Sequence, residues 1–163
     1  MTIYKNAKGF TLIEGIAVLI VLGILSAVVI SRITSTADVN LKAQTEVLKS
    51  HIRYAQFRAM NMKSNDPAAI GCNASFGISI SANSYFLFKD CALANKVILP
   101  GASSDTVSLP NVTLSPTVIT FDDWGRPCSN LVGTTPAAGS ITLSSAGAPN
   151  ETITITNNTG FVP

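Results

Sequence analysis

Residues 10–31 read FTLIEGIAVLIVLGILSAVVIS, an apolar run with one charged side chain, Glu14. As a helix this run would be about 33 Å long, which matches a hydrocarbon core of about 30 Å. The residues before it include Lys5 and Lys8 and no acid, so we expect the N-terminus to stay in the cytoplasm. The run therefore predicts a membrane-spanning helix, with the remainder of the chain on the outer side.

Two plainer interpretations account for part of this pattern. A secretory signal peptide also has a basic start, but its apolar region is usually shorter and is followed by a small-residue cleavage site. A simple membrane anchor explains the length and the lysines. It has no use for Glu14, because a carboxylate in lipid costs about 2.5 to 3.5 kcal/mol on insertion scales. Something should therefore offset the cost of Glu14.

Residues 8–14, KGFTLIE, together with the apolar run resemble the class III signal of type IV pilins and type II secretion pseudopilins. The resemblance implies that a prepilin peptidase cuts after Gly9 and methylates Phe10, and that the apolar helix is retained as the core of a filament. It also implies that Glu14 pairs with the N-terminal amine of a neighbouring subunit. Cleavage would place an ammonium four residues before Glu14, on the same helix face. At about 4 Å and an effective dielectric constant near 20, the two charges attract by roughly 4 kcal/mol.

A helical stripe continues beyond the apolar run. No Pro or Gly interrupts residues 24–66, and Asn65-Asp66-Pro67 is a helix-ending signal. The organisation predicted is a leader at 1–9, a transmembrane or filament-core helix at 10–31, an amphipathic continuation at 32–66 and a β-rich globular domain at 67–163. The apolar positions of the stripe recur at three, four or seven residues: Ile33, Ala37, Leu41, Leu48, Ile52, Ala55 and Ala59.

After Gly71 the chain changes to short β-type runs separated by Gly, Pro, Asn and Ser. Candidate strands are 76–80, 85–88, 96–99, 106–109, 118–121, 140–143 and 152–156. The predicted fold class is α+β, a long N-terminal helix packed on a C-terminal antiparallel sheet, and the resemblance to type IV pilins implies that this is the pilin fold.

The three cysteines allow a geometric argument. If the runs 76–80 and 85–88 form a hairpin, opposing residue numbers sum to about 164 or 165, and Cys72 and Cys91 sum to 163. We therefore predict a Cys72–Cys91 disulfide in an oxidising compartment. Cys128 is then a buried thiol, which we prefer, or an alternative or intermolecular partner. Scattered cysteines and one histidine, His51, predicted to lie at the surface, favour neither a metal site nor a cofactor.

A second resemblance covers the C-terminal region. The runs FGISI at 76–80, VITFDDWGRP at 118–127, SITLSS at 140–145 and TITIT at 152–156, with Gly160, are similar to the H-type pseudopilins and the FimT/FimU-type minor pilins; MSHA-type minor pilins share the layout. Within this region Asp122 and Asp123 are predicted to start a turn rather than to act as a catalytic carboxylate pair, since adjacent strand residues face opposite sides. Trp124 is predicted to lie in the core.

The predicted function is that of a structural subunit, a minor pilin or pseudopilin of a type IV pilus or a type II secretion pseudopilus, and not an enzyme. Its expected partners are the prepilin peptidase, other pilin subunits, the inner-membrane assembly platform and membrane lipid. Its expected location is the bacterial inner membrane, single-pass with a periplasmic C-terminal domain, and then the filament. Without Lys5 and Lys8 the basic and acidic side chains balance (11 − 2 = 9 against 9), so net charge names no partner.

The alternative is a DNA-binding tip subunit. It would use the basic residues of the helix around 42–63, although six cations over residues 32–63 are more often a solvated helix face. Some FimT-like proteins bind DNA through basic residues near the C-terminal tail, but here no Lys or Arg follows Arg126, and phosphate contacts need cations. Binding to nucleic acid is therefore not expected by that route.

Overall fold

A computed structural model of the chain describes residues 11–62 and 76–163, with the backbone alone for residues 27–35. Its one described α-helix, α1, runs over Leu12–Asn61. The chain divides between Thr36 and Ala37 into two units, and each is described here by itself. The boundary between them falls within α1, close to the predicted change from an apolar to an amphipathic sequence.

The described part of the C-terminal unit contains nine β-strands. They are β1 (Phe76–Ile80), β2 (Ser84–Lys89), β3 (Ala92–Val97), β4 (Val107–Ser108), β5 (Thr113–Leu114), β6 (Thr117–Phe121), β7 (Pro127–Cys128), β8 (Gly139–Ser144) and β9 (Glu151–Ile155). One sheet has the order β3-β2-β1-β6-β7, with β4 also pairing with β2, and a second has the order β5-β8-β9. All of these strand pairs are antiparallel, and a single core joins them to α1, which confirms the predicted α+β arrangement.

The predicted helical stripe is confirmed from Leu41 onward, whereas Ala37 is only half-buried. Leu41, Leu48, Ile52, Ala55 and Ala59 are 0 or 1% exposed and belong to the core. Because spacings of three and four residues return to the same face of a helix, these side chains form one ridge against the sheets.

Thr45 completes that ridge, although it is polar. It lies between Leu41 and Leu48 and is 3% exposed. Its hydroxyl donates to the Leu41 carbonyl at 2.8 Å, so the polar group is satisfied within the helix and can enter the core.

The helix ends earlier in the described residues than the sequence suggested. Its last helical residue is Asn61, whose side-chain amide donates to the Phe57 carbonyl one turn back at 2.8 Å. The predicted stop at residues 65–67 lies outside the described residues.

The central hairpin has the register expected from the sequence. Phe76 pairs with Lys89 and Ile80 with Tyr85, so opposing numbers sum to 165 throughout β1 and β2. β1 lies between β2 and β6 and is buried at all five positions. A Cβ at Gly77 would meet the Phe88 ring at 2.6 Å, which explains glycine in the middle of this strand.

The predicted strand at 96–99 is displaced, since β3 covers Ala92–Val97. The chain reverses between β2 and β3 in two residues, Asp90 and Cys91, whose φ angles of 57° and 55° are those of a tight hairpin turn. Such turns usually contain Gly or Asn, and because this turn contains neither, the composition did not predict it. The strands β5 and β7, each of two residues, were not predicted.

Candidate functional site

The helix surface of residues 11–26 is exposed at every position in the chain on its own. Most of these residues are large and apolar; Leu12 is 82% exposed and Leu19 is 70% exposed. Contiguous apolar surface of this kind marks a site of interaction with protein or membrane. We refer to residues 11–26 as the N-terminal apolar surface.

Polar groups on the N-terminal apolar surface are few and largely satisfied by the helix itself. The Ser26 hydroxyl lies 2.9 Å from the carbonyls of both Leu22 and Gly23, so it needs no outside partner. Glu14 is the one charged side chain of this surface and lies in the first turn of α1. A carboxylate at that end of a helix is favoured by the helix dipole.

Gly9 and Phe10, the predicted cleavage and methylation sites, lie outside the described residues. The described helix begins beside them, with the Thr11 carbonyl accepting hydrogen bonds from the backbone N–H groups of Glu14 (3.1 Å) and Gly15 (3.3 Å). The pairing of Glu14 with an N-terminal ammonium stays a prediction.

Among the residues that the structure describes, no helical segment combines the length and the apolarity needed to traverse a bilayer. The predicted membrane-spanning segment at 10–31 is therefore not confirmed.

The basic side chains of the C-terminal half of α1 have partners within the chain. Lys42 pairs with Asp38 at 3.0 Å, and this hydrogen bond raises the pKa of Lys42. Lys49 pairs with Glu46 at 2.8 Å. Together they make the helix face locally balanced rather than strongly basic.

The two arginines of this half bind other parts of the C-terminal unit. Arg53 donates to the Val162 carbonyl at 2.9 Å, and Arg58 donates to the Tyr54 hydroxyl at 2.7 Å while its guanidinium lies 4.9 Å from the centre of the Phe76 ring. These contacts tie α1 to the chain terminus and to β1. Lys63 lies outside the described residues, and the side chain of Arg32 is not described.

His51 is buried, and its predicted surface position is wrong. Its ring nitrogens lie 2.9 Å from the Tyr85 hydroxyl and 3.1 Å from the Pro100 carbonyl. Because a carbonyl can only accept, Nε2 carries the proton in the neutral ring and the Tyr85 hydroxyl donates to Nδ1. His51 therefore connects α1 to β2 and to the loop after β3, and burial raises the pKa of Tyr85 to about 12.

The loop between β6 and β7 is organised by Asp122, which is 5% exposed. One of its carboxylate oxygens accepts from the backbone N–H groups of Trp124 (3.0 Å) and Arg126 (2.8 Å), and the other accepts from Arg126 Nε at 2.7 Å. The Gly125 N–H donates to the Asp122 carbonyl at 2.9 Å. The prediction that Asp122 starts a turn is confirmed.

The predicted core position of Trp124 is wrong, because its side chain is 80% exposed at the tip of this loop. The turn that the sequence did predict already places Trp124 between Asp122 and Gly125, where a side chain cannot point into the sheet. The predicted turn could therefore have indicated that Trp124 is exposed. It was outweighed by the general preference of large aromatic side chains for the core.

The cysteines are consistent with part of the sequence analysis. Cys128 is a buried free thiol, as preferred, and burial raises its pKa, with the nearby Asp122 carboxylate adding to the effect. Cys72 lies outside the described residues. Cys91 is described and takes part in an interaction. The Cys72–Cys91 disulfide itself stays a prediction.

Metal ligands do not cluster in the described ranges 11–62 and 76–163, where no group of three His, Cys, Asp or Glu side chains could hold an ion.

Comparison with known families gives a match at the N-terminal end of the chain. A family model described as the prokaryotic N-terminal methylation motif matches residues 4–30. The match supports a type IV pilin-like or pseudopilin subunit. It implies processing by a prepilin peptidase and assembly with other pilin subunits. No curated protein and no solved structure matches the chain, and the H-type and FimT/FimU resemblances are not confirmed.

Proposed function

We propose that this chain is a prepilin that is cut after Gly9, methylated on Phe10, and assembled as a minor or priming subunit of a type IV pilus or a type II secretion pseudopilus. Before assembly, residues 10–31 anchor it in the bacterial inner membrane, with the C-terminal unit in the periplasm. Its partners are the prepilin peptidase, other pilin subunits, the assembly platform and lipid. Its role is structural rather than catalytic.

The observation that carries this proposal is a lone carboxylate, Glu14, on an exposed apolar helix surface that lies within the matched methylation motif, residues 4–30. Apolar surface leaves water at a gain of about 25 cal/mol per Å², so the N-terminal apolar surface favours lipid or neighbouring helices over water. Glu14 resists that transfer unless a cation accompanies it. The ammonium released by cleavage after Gly9 supplies the cation and fixes the stagger between subunits.

The N-terminal apolar surface also leaves room for a neighbouring helix to pack closely against it. A Cβ at Gly15 or Gly23 would meet nothing within 4 Å, so both positions leave backbone accessible on a side of the helix that lacks a partner in the single chain. Small residues at such positions allow helices to approach closely in lipid.

Processing is tested by mass spectrometry of the protein purified from cells. The expected mass corresponds to residues 10–163 plus one methyl group. A chain that retains Met1, or that begins beyond Ser31, would contradict the proposal.

Assembly is tested with Glu14→Ala, measured as the amount of subunit in sheared filaments relative to the amount in membranes. We expect normal insertion and processing with up to about tenfold loss of incorporation, since Glu14→Ala removes roughly 4 kcal/mol of attraction together with the cost of about 2.5 to 3.5 kcal/mol for the carboxylate in lipid. Glu46→Ala is the matched control. It removes an exposed helix carboxylate whose pair with Lys49 is a surface ion pair of little energetic weight. Equal incorporation of Glu14→Ala and Glu46→Ala would exclude the pairing role.

A further inference from the structure

The loop between β6 and β7 holds Trp124 in an exposed but fixed position. Both Trp124 and Arg126 bind the Asp122 carboxylate through their backbone N–H groups, and the Gly125 carbonyl accepts from Gln56 Nε2 on α1 at 2.9 Å. A large apolar ring that is 80% exposed on a loop tied down at its start and its tip is preorganised for contact with a ligand.

Two clefts adjoin the Trp124 ring. One, of about 350 Å³, is lined by Trp124, by other residues of its loop such as Asp123 and Arg126, and by residues of the segment 133–136 such as Thr134. The other, of about 330 Å³, is lined by Trp124, Arg126 and Asn158. Both volumes lie within the roughly 300–1,000 Å³ of small-molecule sites. The linings are mostly polar and open to solvent, unlike the apolar, enclosed pockets of most cofactors and drug-sized ligands.

The polar groups of these clefts include donors and acceptors. The Thr134 hydroxyl accepts from the Asn130 amide at 2.8 Å and keeps its own O–H to donate, and Asn158 offers an amide that can do both. The Arg126 side chain is 44% exposed although its Nε is engaged by Asp122. An aromatic platform flanked by such groups matches the chemistry of a sugar, which has one face of polarised C–H bonds and a rim of hydroxyls.

Charge separates this ligand class from nucleic acid. The larger cleft has one guanidinium among its lining residues, Arg126, and its Nε is already paired with the Asp122 carboxylate at 2.7 Å. The lining therefore has no excess of positive charge to attract phosphate groups, and strong binding of single strands needs a positively charged groove beside the stacking ring. A neutral polyhydroxyl ligand has no such requirement.

We propose that Trp124 and its two clefts bind a neutral oligosaccharide, with one sugar ring stacked on the indole and its hydroxyls bonded to Asp123, Arg126, Thr134 and Asn158. The site gives the C-terminal unit a glycan-binding activity separate from assembly through the N-terminal helix.

The test uses the full chain in a detergent without a sugar headgroup, lauryldimethylamine oxide. Trp124 is the only tryptophan of the chain, so its fluorescence reports on this site alone. Chitotetraose, cellotetraose and maltotetraose are titrated one by one, and quenching by acrylamide is measured at each concentration. We expect at least one of them to lower the quenching constant by about twofold, because stacking covers one face of the ring. The single-stranded oligonucleotide hexathymidylate is titrated in the same way. Protection of Trp124 by none of the three oligosaccharides would overturn the proposal, and so would protection by hexathymidylate alone.

Variants locate the binding, with saturation-transfer NMR on the oligosaccharide as the measurement. Trp124→Ala should lower the association constant about tenfold or more, whereas Trp124→Phe should keep part of the binding. Ile98→Ala is the matched control, because Ile98 is 60% exposed and lines neither cleft. Equal binding by Trp124→Ala and Ile98→Ala would exclude the site.

Filament incorporation of Trp124→Ala is measured in parallel. Normal incorporation with lost sugar binding supports the glycan site. Lost incorporation without any sugar binding would instead make this face a subunit contact and overturn the glycan proposal. Neither result affects the mass-spectrometry test of processing or the Glu14→Ala test of assembly. The glycan-site proposal can therefore be refuted without refuting the proposed function, and the reverse also holds.

Discussion

Replacing Tyr85 with phenylalanine tests the buried contact between α1 and the sheet. Tyr85 is 1% exposed, and its hydroxyl donates to His51 Nδ1 over 2.9 Å. Tyr85→Phe keeps the ring but leaves Nδ1 as a buried acceptor without a donor, because Nε2 must keep its proton for the Pro100 carbonyl. Leaving such a group unsatisfied costs about 1–3 kcal/mol. We expect the free energy of unfolding near pH 9 to fall by that amount.

The pH dependence of the free energy of unfolding gives a second test, in which the wild type rather than Tyr85→Phe loses stability. Burial raises the pKa of Tyr85 to about 12, above its ordinary value of 10, so the unfolded chain loses this proton first as the pH rises. The stability that depends on the neutral phenol is complete below pH 10 and is lost as the pH approaches 12. By pH 11 the wild type should have lost about 1.4 kcal/mol from this source. Tyr85→Phe has no such loss, so the gap between the two proteins should narrow by that amount.

The assay is urea unfolding of the full chain in non-denaturing detergent at pH 9, 10 and 11, followed by circular dichroism of the β-rich unit. Tyr54→Phe is the matched control, because it removes a half-buried phenol hydroxyl that contacts Arg58 and not His51. A gap between wild type and Tyr85→Phe that stays constant from pH 9 to pH 11 would refute the buried, neutral state of Tyr85. No gap at pH 9 would refute the hydrogen bond to His51.

Two further expectations concern the packing of the sheet. Gly77→Ala should destabilise the chain by about 1–3 kcal/mol in the same urea assay, since the new methyl group would lie 2.6 Å from the Phe88 ring; an unchanged midpoint would contradict this packing. Cys128 should resist maleimide in the native chain and react after unfolding, because its thiol is buried and its pKa is raised. If the other two cysteines form the predicted disulfide, unfolding without reductant should release one reactive thiol per chain, and three would refute the pairing.

Residue patterns were sufficient where burial alone determines the structure. The stripe from Leu41 to Ala59 was predictable because three- and four-residue spacing admits one helix face to the core. The alternation in β9 was equally clear: Ile153 and Ile155 are buried and Thr154 is exposed. The central hairpin followed from two β-type runs separated by a short polar segment, which fixed its register through the sum of residue numbers.

Residue patterns did not predict the limits of the edge strand β3 or the turn that precedes it. β3 lies at the end of its sheet and shows no regular alternation of burial, so hydrophobicity could not set its limits. Its outer face is stabilised instead by Lys96, whose ammonium lies 4.7 Å from the centre of the Phe86 ring, a contact between strands that no local pattern encodes. The turn before β3 was missed for a related reason, because Asp90 and Cys91 adopt left-handed φ angles without glycine.

His51 and Trp124 were misplaced in opposite directions, and for opposite reasons. Helical spacing placed His51 outside the apolar stripe, but Tyr85 and Pro100 supply the partners that make its burial affordable. Trp124 was placed inside for its size, but Asp122 holds the loop so that the ring faces solvent. The buried histidine satisfies every hydrogen bond it needs within the fold and therefore serves packing. The Trp124 ring is 80% exposed although hydrogen bonds to Asp122 fix its loop, which is the arrangement expected of a residue that contacts a ligand outside the fold.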